Sequence, residues 1–227
     1  MGCALRAEIA KYDNVNLVAA LVAPSSDRLG ADAGGVVFTS DIRSALDICD
    51  VLIDFSSPKS AIDAALMMSG TSCRTMITGT TGYSATEEKA LEQAASAITL
   101  VKSGNYSIGI CVLESLITKA AVALPKDWNA DILDIHHNQK KDAPSGTALM
   151  LGRALEAGGQ KPSGIASLRH GGVIGEHSVF FGSDMETITL THTAIDRAVF
   201  AKGALTAAFW AVGQEKGLYD MQDVLGL

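Results

Sequence analysis

The sequence contains no apolar run long enough to cross a membrane and no block of like charge. Its longest apolar segment, Ile108 to Leu124, is interrupted by Glu114 and Lys119 and falls short of the ~20 residues that a spanning helix needs. The 25 acidic and 18 basic residues are interspersed, which argues against a nucleic-acid-binding surface. The N-terminus has no basic stretch followed by an apolar one, so it does not resemble a signal peptide. We therefore expect a cytoplasmic enzyme or binding protein whose partner is neither a membrane nor a nucleic acid.

Cysteine is also scarce and is not arranged for metal binding. The four cysteines lie far apart and form no CxxC pair and no cysteine–histidine pair at zinc-ligand spacing: Cys3, Cys49, Cys73 and Cys111. This argues against a zinc site and a disulfide framework, and we expect reduced, mostly buried thiols and no metal. Hydrophobic residues make up 48% of the 227 residues, which is enough for a substantial core in one large domain or two small ones.

The first hundred residues alternate short β-branched runs with amphipathic stretches, a pattern typical of strand–helix units in a parallel sheet. The predicted strands are Val15 to Val22, Val51 to Phe55, Thr75 to Thr78 and Ile98 to Lys102. The predicted helices are Ala4 to Tyr12, Ile42 to Ile48, Pro58 to Met68 and Ala85 to Ala97. Three strands run into polar loops at Asp54 to Ser57, Gly79 to Gly82 and Ser103 to Tyr106. Because the carboxyl ends of parallel strands line the ligand crevice, we expect these loops to share one edge.

The pattern changes after the predicted helix Ile108 to Leu124, because strands then follow one another with few helices between them. The predicted strands are Asp131 to Ile135, Ile165 to Arg169, Ser178 to Phe181 and Glu186 to Thr193. The predicted helices are Thr147 to Ala157 and a final one from Ala198 to Lys216, which could return to the first domain. The fold class is therefore α/β, with a Rossmann-like parallel-sheet domain and a second, α+β domain that is more antiparallel.

The most informative stretch runs from His136 to Ala148, where two imidazoles, two ammonium groups and a helix start fall together. Pro144 disfavours helix before it and Ser145 is a good N-cap, so a helix should begin at Gly146. The first amides of a helix, with its positive end behind them, suit a carboxylate. Lys140 adds a full charge nearby, so the stretch predicts a carboxylate clamp.

The adjacent residues His136 and His137 should have different duties if they end a strand, because neighbouring strand residues face opposite sides. One could donate a proton and the other contact the substrate, since histidine titrates near neutrality. A pair of surface or core-capping histidines is the alternative. Arg169 could bind a substrate carboxylate, but we favour structural pairing with Glu176 or Asp184.

Together these stretches resemble the dihydrodipicolinate reductase family, now called 4-hydroxy-tetrahydrodipicolinate reductase. The resemblance rests on HHNQKKDAPSGTA from His136 and is supported by further motifs in the expected order: GTTG at Gly79, SGNYSIG at Ser103, SLRHGGVIGEH at Ser167 and GLYDMQDVL at Gly217. It implies hydride transfer from NADH or NADPH to a cyclic imine dicarboxylate derived from the 4-hydroxy substrate, in lysine and diaminopimelate biosynthesis.

The resemblance also implies residue roles. His136 would be the general acid/base, Lys140 a second proton donor or charge partner, and His137 a substrate contact. Gly146 and Thr147 would hold a substrate carboxylate. The nicotinamide end of the cofactor would be held by Gly79, Thr80, Thr81, Ser103, Gly104, Asn105 and Tyr106. A dinucleotide-binding domain would comprise residues 1–107 completed by 198–227, and residues 108–197 would bind substrate and build a homotetramer.

The N-terminus departs from the family pattern. Family members begin with a strand and a GxxGxxG loop, whereas Met1 and Gly2 align with only the end of that loop. The missing strand is central, so its loss should leave Val15 to Val22 unpaired on one side. We therefore expect a truncated or misassigned start rather than a functional short form. Val15 to Val22 corresponds to the family's second strand, after which an acidic residue would be expected to hold the ribose hydroxyls, and none stands in that place. Ser25, Ser26 or Arg28 could instead meet a 2′-phosphate, which favours NADPH.

Two other functions compete with an active reductase. A non-catalytic protein could keep the dicarboxylate pocket while binding dinucleotide poorly. A semialdehyde dehydrogenase with a cysteine nucleophile is disfavoured, because neither Cys73 nor Cys111 lies in a strand-to-helix turn beside a histidine.

Overall fold

The computed structural model describes residues 1–227, in which helices and strands alternate for the first hundred residues and strands cluster later. The helices are α1 Gly2–Ile9, α2 Ile42–Leu46, α3 Pro58–Met68, α4 Ala85–Ala95, α5 Ile108–Ala123, α6 Gly146–Ala157, α7 Ala198–Ala211 and α8 Met221–Leu225. The strands are β1 Ala20–Leu21, β2 Phe38–Thr39, β3 Val51–Asp54, β4 Thr75–Thr78, β5 Thr99–Lys102, β6 Asn129–His136, β7 Gly164–Arg169, β8 Gly175–Gly182, β9 Thr187–Ala194 and β10 Gly217–Tyr219.

The chain divides into two compact units. Unit 1 comprises Met1–Tyr106 with Phe200–Gly226, and unit 2 comprises Ser107–Val199 with Leu227. No helix in either unit is both long enough and apolar enough to traverse a lipid bilayer.

Unit 1 contains a parallel sheet in the order β10-β5-β4-β3. The inner strand β4 is buried along its whole length, as expected for a strand of a parallel sheet covered on both faces. Helix α3 begins at Pro58, with the side chain of Ser57 accepting a hydrogen bond from the amide of Ser60. The Rossmann-like parallel sheet predicted from the sequence is confirmed.

The strand β1 is much shorter than predicted and stands outside this sheet. It pairs in parallel with β2 alone, so the backbone of β1 has one hydrogen-bonded edge. Only Ala20–Leu21 finds a partner strand, so the prediction of a strand from Val15 to Val22 is wrong for the rest of that run, which lies outside any strand.

Unit 2 contains a mixed sheet in the order β7-β6-β8-β9, in which β6 and β7 are parallel and the other pairs are antiparallel. Helices α5 and α6 contribute to one core with its inner face. Apolar residues from both helices and from β6 and β8 are fully buried there, including Ile117, Leu151, Ile132 and Phe181. The predicted α+β layer is confirmed.

The C-terminal segment differs from the prediction. The final helix ends at Ala211 rather than at Lys216, and the chain then forms β10 beside β5. Helix α8 follows, capped by Asp220 and Asp223 in a capping box. The three-residue strand β10 escapes sequence patterns because its partner lies more than a hundred residues away in the chain.

Candidate active site

The inner face of β6 changes from apolar to polar along the strand. Ala130 and Ile132 are buried in the core, and Asp134 and His136 continue the same two-residue period. His137 follows the strand and is only half-buried, so the adjacent histidines have different surroundings. The core face of this strand thus ends in two ionisable groups.

His136 is 8% exposed, and its imidazole favours the neutral form. Burial, assisted by the charge of Lys140, lowers the pKa of His136, while the carboxylate of Asp134 opposes this shift. Asp134 Oδ1 lies 3.9 Å from Nδ1, too far for a hydrogen bond, and Nδ1 has no hydrogen-bond partner in the protein. This nitrogen is itself buried, so no hydrogen-bonding protein group and no open surface meets it.

Asp134 is fully buried and links three elements. Its carboxylate accepts hydrogen bonds from Arg169 Nη1 at 2.7 Å and from the amide of Ser145 at 2.6 Å. Burial alone would raise the pKa of Asp134, but these hydrogen bonds outweigh it and hold the pKa well below its usual range. The carboxylate thereby fixes the start of α6 and the end of β7 beside His136.

The structural pairing predicted for Arg169 is confirmed, but its predicted partners were wrong. Arg169 pairs with Asp134 and not with Glu176 or Asp184. Because β6 and β7 are parallel with His136 opposite Arg169, the guanidinium reaches the carboxylate on the neighbouring strand.

The start of α6 lies at the predicted residue, and the anion site expected there stays a prediction. Ser145 caps the helix, its Oγ accepting from the amide of Ala148 at 3.1 Å. A Cβ built on Gly146 would have no neighbour within 4 Å, so the backbone is open there. The positive helix end and this open backbone suit a carboxylate.

His177 is a buried partner that the sequence patterns did not reveal. Its ring lies edge-on to that of His136 with centroids 5.1 Å apart, and its Nε2 is 3.2 Å from Ser145 Oγ. Burial, with a contribution from His136, lowers the pKa of His177 to about 4. The neutral ring thus supports both the helix cap and the neighbouring imidazole.

Two cations lie on the more exposed side of this cluster. Lys140 Nζ forms an ion pair of 2.8 Å with Asp142, and Arg197 Nη2 is 3.3 Å from His137 Nε2. Arg197 was missed from the sequence, although its position just after β9 is where an edge-lining residue is expected. It adds a third basic side chain beside Lys140 and Arg169.

Asp134, His136 and His177 also offer three possible metal-ligand atoms within 4.8 Å of one another. Both oxygens of Asp134 already accept hydrogen bonds, from Arg169 and Ser145. A cation would have to displace a guanidinium, so the carboxylate suits an internal positioning role better than metal binding.

In unit 1 the three predicted loops share one sheet edge. Asp54, at the end of β3, accepts hydrogen bonds of 2.7 Å from the hydroxyls of both Thr78 and Thr80. The amide of Ser56 donates to Thr80 Oγ at 2.9 Å, and the amide of Ser103 donates to the carbonyl of Thr78 at 3.2 Å. This network fixes the backbone of the edge.

The predicted cofactor residues fall into two groups by exposure. The hydroxyl of Tyr106 lies 2.9 Å from the carbonyl of Thr78, and its ring is 1% exposed, so its side chain is a packing element like that of Thr80. Gly79 is needed for packing as well, because a Cβ there would lie 2.1 Å from the ring of Phe55. The remaining members are exposed or half-buried: Thr81, Ser103, Gly104 and Asn105.

Comparison with known proteins gives the family. Residues 1–106 match the model "Dihydrodipicolinate reductase, N-terminus", and residues 109–225 match "Dihydrodipicolinate reductase, C-terminus". The chain belongs to the dihydrodipicolinate reductase family. Because the chain belongs to this family, it is a reductase whose N-terminal domain is of the dinucleotide-binding type. A reductase of this kind uses a nicotinamide cofactor.

Individual relatives agree with the family. The chain is 41% identical to 4-hydroxy-tetrahydrodipicolinate reductase of Rhizobium rhizogenes, covering 100% of this chain and 93% of the relative. It is 40% identical to the enzyme of Caulobacter vibrioides over 91% of this chain and 88% of that protein. A solved structure, dipicolinate-bound dihydrodipicolinate reductase from Paenisporosarcina sp. TG-14, has the same fold, with a TM-score of 0.77 at 22% identity and coverage of 97% and 93%.

Proposed function

We propose that this chain transfers hydride from NADH or NADPH to the cyclic imine dicarboxylate derived from 4-hydroxy-tetrahydrodipicolinate, yielding tetrahydrodipicolinate. The observation that carries the proposal is the meeting of a buried imidazole, basic side chains and an open helix start at one edge of unit 2. The names of the Rhizobium and Caulobacter relatives support the same substrate. The product belongs to lysine and diaminopimelate biosynthesis.

The substrate carboxylates would be held at the start of α6 and by the nearby bases. Gly146 and Thr147 begin that helix, and Lys140 and His137 flank it in sequence. An incoming carboxylate would pair with Lys140 in place of Asp142, so one ion pair would replace another. The dipicolinate in the Paenisporosarcina structure is a planar dicarboxylate of this kind and supports the choice of ligand.

His136 would supply the proton. The cofactor would deliver the hydride to an electrophilic carbon of the conjugated imine, and the negative charge left on the ring must then be met by a proton from the protein. His136 is neutral-favouring in the free protein, but a dianionic ligand raises the pKa of a neighbouring imidazole. Substrate binding would therefore charge the acid that the reaction needs, and Lys140 would balance charge or give a second proton.

The nicotinamide end of the cofactor would lie on the edge of unit 1 formed by Gly79 to Thr81 and Ser103 to Tyr106. A Cβ on Gly104 would meet nothing within 4 Å, so a flat ring could approach the backbone there. Because the hydroxyl of Thr80 and the ring of Tyr106 are engaged internally, these two would contact the cofactor through their backbone. Arg28, exposed beyond β1, could meet a 2′-phosphate and favour NADPH.

The domain roles follow from these assignments. Residues 1–107 with 198–227 would bind dinucleotide, and residues 108–197 would bind substrate and join subunits. On the outer face of the unit 2 sheet, Leu168 and Phe180 are 49% and 38% exposed, which supports a homo-oligomer, a tetramer by resemblance. Sedimentation velocity should give a mass above 23.6 kDa, and Leu168→Asp should lower it while the loop variant Met185→Asp does not.

The proposal is tested by titrating the purified chain with NADH and with NADPH, followed by nucleotide fluorescence, with and without pyridine-2,6-dicarboxylate. Micromolar binding of either nucleotide, tightened by the dicarboxylate, is expected, and the tighter nucleotide is the preferred cofactor. A folded protein that takes the dicarboxylate but neither nucleotide would instead be a non-catalytic dicarboxylate-binding protein.

A further inference from the structure

Two cysteines that no catalytic step uses lie opposite each other just before the amino-terminal ends of strands β3 and β4 in unit 1. Cys49 and Cys73 each stand two residues before a strand, and β3 and β4 are paired in parallel with Val51 opposite Thr75. Continuing this register by two residues places Cys49 opposite Cys73. Neighbouring strands are about 4.8 Å apart, inside the roughly 4.4–6.8 Å that the Cα atoms of a disulfide span.

The side-chain contacts agree with this register. Cys73 Sγ lies 3.5 Å from the carbonyl oxygen of Asp50, the residue next to Cys49. The amide of Cys73 donates to the carbonyl of Leu46, which ties the two loops together. Both cysteines pack in the same apolar core. Hydrogen bonding between the two thiols raises the pKa of Cys49 and lowers that of Cys73, as expected when one sulfur donates to the other.

We propose that Cys49 and Cys73 are a redox-sensitive pair that closes into a reversible intramolecular disulfide when a two-electron oxidant such as hydrogen peroxide is present. One sulfur is first oxidised to a sulfenic acid with release of water, and the other sulfur then displaces the hydroxyl group, which leaves as a second water. The two thiols lose two electrons and two protons, and the peroxide is reduced to water. Cys49 is partly exposed and gives the oxidant its access, whereas Cys73 is fully buried.

The other two cysteines provide internal controls. Cys3 is exposed, and hydrogen bonds from Arg6 and Arg28 lower its pKa, so we expect it to react with peroxide as well. Cys111 is buried in helix α5 of unit 2. A Cys3→Ser background therefore removes crosslinks between copies of the chain while Cys111 remains as a thiol that should not react.

The experiment is oxidation of the folded full-length Cys3→Ser protein with hydrogen peroxide, alkylation of the remaining thiols and tryptic mass spectrometry. Trypsin cuts after Arg43, Lys59 and Arg74, so Cys49 and Cys73 fall in separate peptides. The expected product is the peptide pair 44–59 and 60–74 joined with loss of two hydrogens, released by dithiothreitol.

The matched variant Cys49→Ser in the same background should give no linked pair and should leave Cys111 alkylated as before. The proposal is overturned if Cys49 and Cys73 both remain fully alkylated under conditions in which Cys3 of the unsubstituted protein is oxidised. It is also overturned if the linked pair forms only after the protein has been unfolded.

Discussion

The polar clusters at the ends of the two sheets are built on opposite principles. In unit 1, Asp54, Thr78 and Thr80 satisfy one another through hydrogen bonds of 2.7 Å. In unit 2, the buried Nδ1 atoms of His136, His177 and His192 have no hydrogen-bond partner in the protein. The first cluster is a closed hydrogen-bond network, whereas the second contains ionisable rings with unpaired nitrogen atoms.

This difference matches the two tasks that we assign. A network whose donors and acceptors are already paired gives a rigid backbone edge, which suits cofactor binding through main-chain groups. A buried ring nitrogen without a partner costs stability, and buried groups with shifted pKa values concentrate at catalytic sites. The comparison predicts that changes in unit 2 alter rate and pH dependence, whereas changes in unit 1 alter mainly stability and nucleotide binding.

The largest effect should come from removing the reactive imidazole. His136→Gln should lower kcat by about a hundredfold or more, as expected for loss of a positioned proton donor, with little change in nucleotide affinity. Steady-state kinetics and nucleotide titration measure the two quantities. His170→Gln, at an exposed histidine of the same unit, is the matched control and should keep the normal rate. An unchanged rate in the His136 variant would remove His136 from the mechanism.

The buried histidines should make unit 2 sensitive to weak acid. The pKa of His177 is lowered to about 4, whereas an unfolded histidine titrates near 6.5. Between these values the unfolded chain binds a proton that the folded chain does not, so the free energy of unfolding should fall as the pH drops from about 6.5 to about 4. The loss should be on the order of 2–3 kcal/mol.

Urea unfolding across this pH range measures the effect, and His177→Gln should flatten the dependence while His170→Gln should not. His136 and His192 have lowered pKa values too and should leave a residual slope. A wild-type stability that is constant between pH 7 and about pH 4.5 would contradict the burial of neutral imidazoles.

A methyl group added at the start of α6 should weaken substrate binding without lowering stability. The Cβ of Gly146→Ala meets open space in the protein, so stability should be unchanged or slightly higher, because alanine favours helix. The same methyl group would obstruct a carboxylate at the helix start, and the KM for the dicarboxylate substrate should rise by about tenfold. Gly104→Ala is the counterpart in unit 1 and should raise the KM for the nucleotide instead. Equal effects of both variants on both KM values would contradict the assignment of substrate binding to unit 2 and nucleotide binding to unit 1.

The smallest effect should come from the closed network of unit 1. Tyr106→Phe removes a buried hydroxyl that lies 2.9 and 3.0 Å from the carbonyls of Thr78 and Val101. Stability should fall by about 1 kcal/mol with kcat and the nucleotide KM nearly unchanged. A large loss of nucleotide binding at normal stability would instead give this side chain a direct role at the cofactor.

Local signals in the sequence predict much of this structure. Helix Pro58–Met68 is found at its predicted bounds because a serine cap and a proline mark its start. Strand Thr75–Thr78 is also found as predicted, because three of its four residues are β-branched and the run is too short for a helix. The start of α6 at Gly146, where we propose the anion site, is also found as predicted, because Ser145 is a good N-cap.

What the sequence could not predict depends on contacts between distant segments. Asp134 looks like an ordinary strand residue until the parallel pairing of β6 and β7 brings Arg169 to it. His177 ends the motif SLRHGGVIGEH, which gives it no role by itself, and only the antiparallel pairing of β8 with β6 brings it beside His136. Both residues act through pairing partners, which no periodicity within one segment encodes.

The most direct test of the account is substrate-dependent oxidation of NADH and NADPH by the purified 227-residue chain, with the product identified by mass spectrometry. The account predicts that one nucleotide is oxidised for each tetrahydrodipicolinate formed and that 4-hydroxy-tetrahydrodipicolinate is required. A folded chain that binds pyridine-2,6-dicarboxylate yet oxidises neither nucleotide would contradict it.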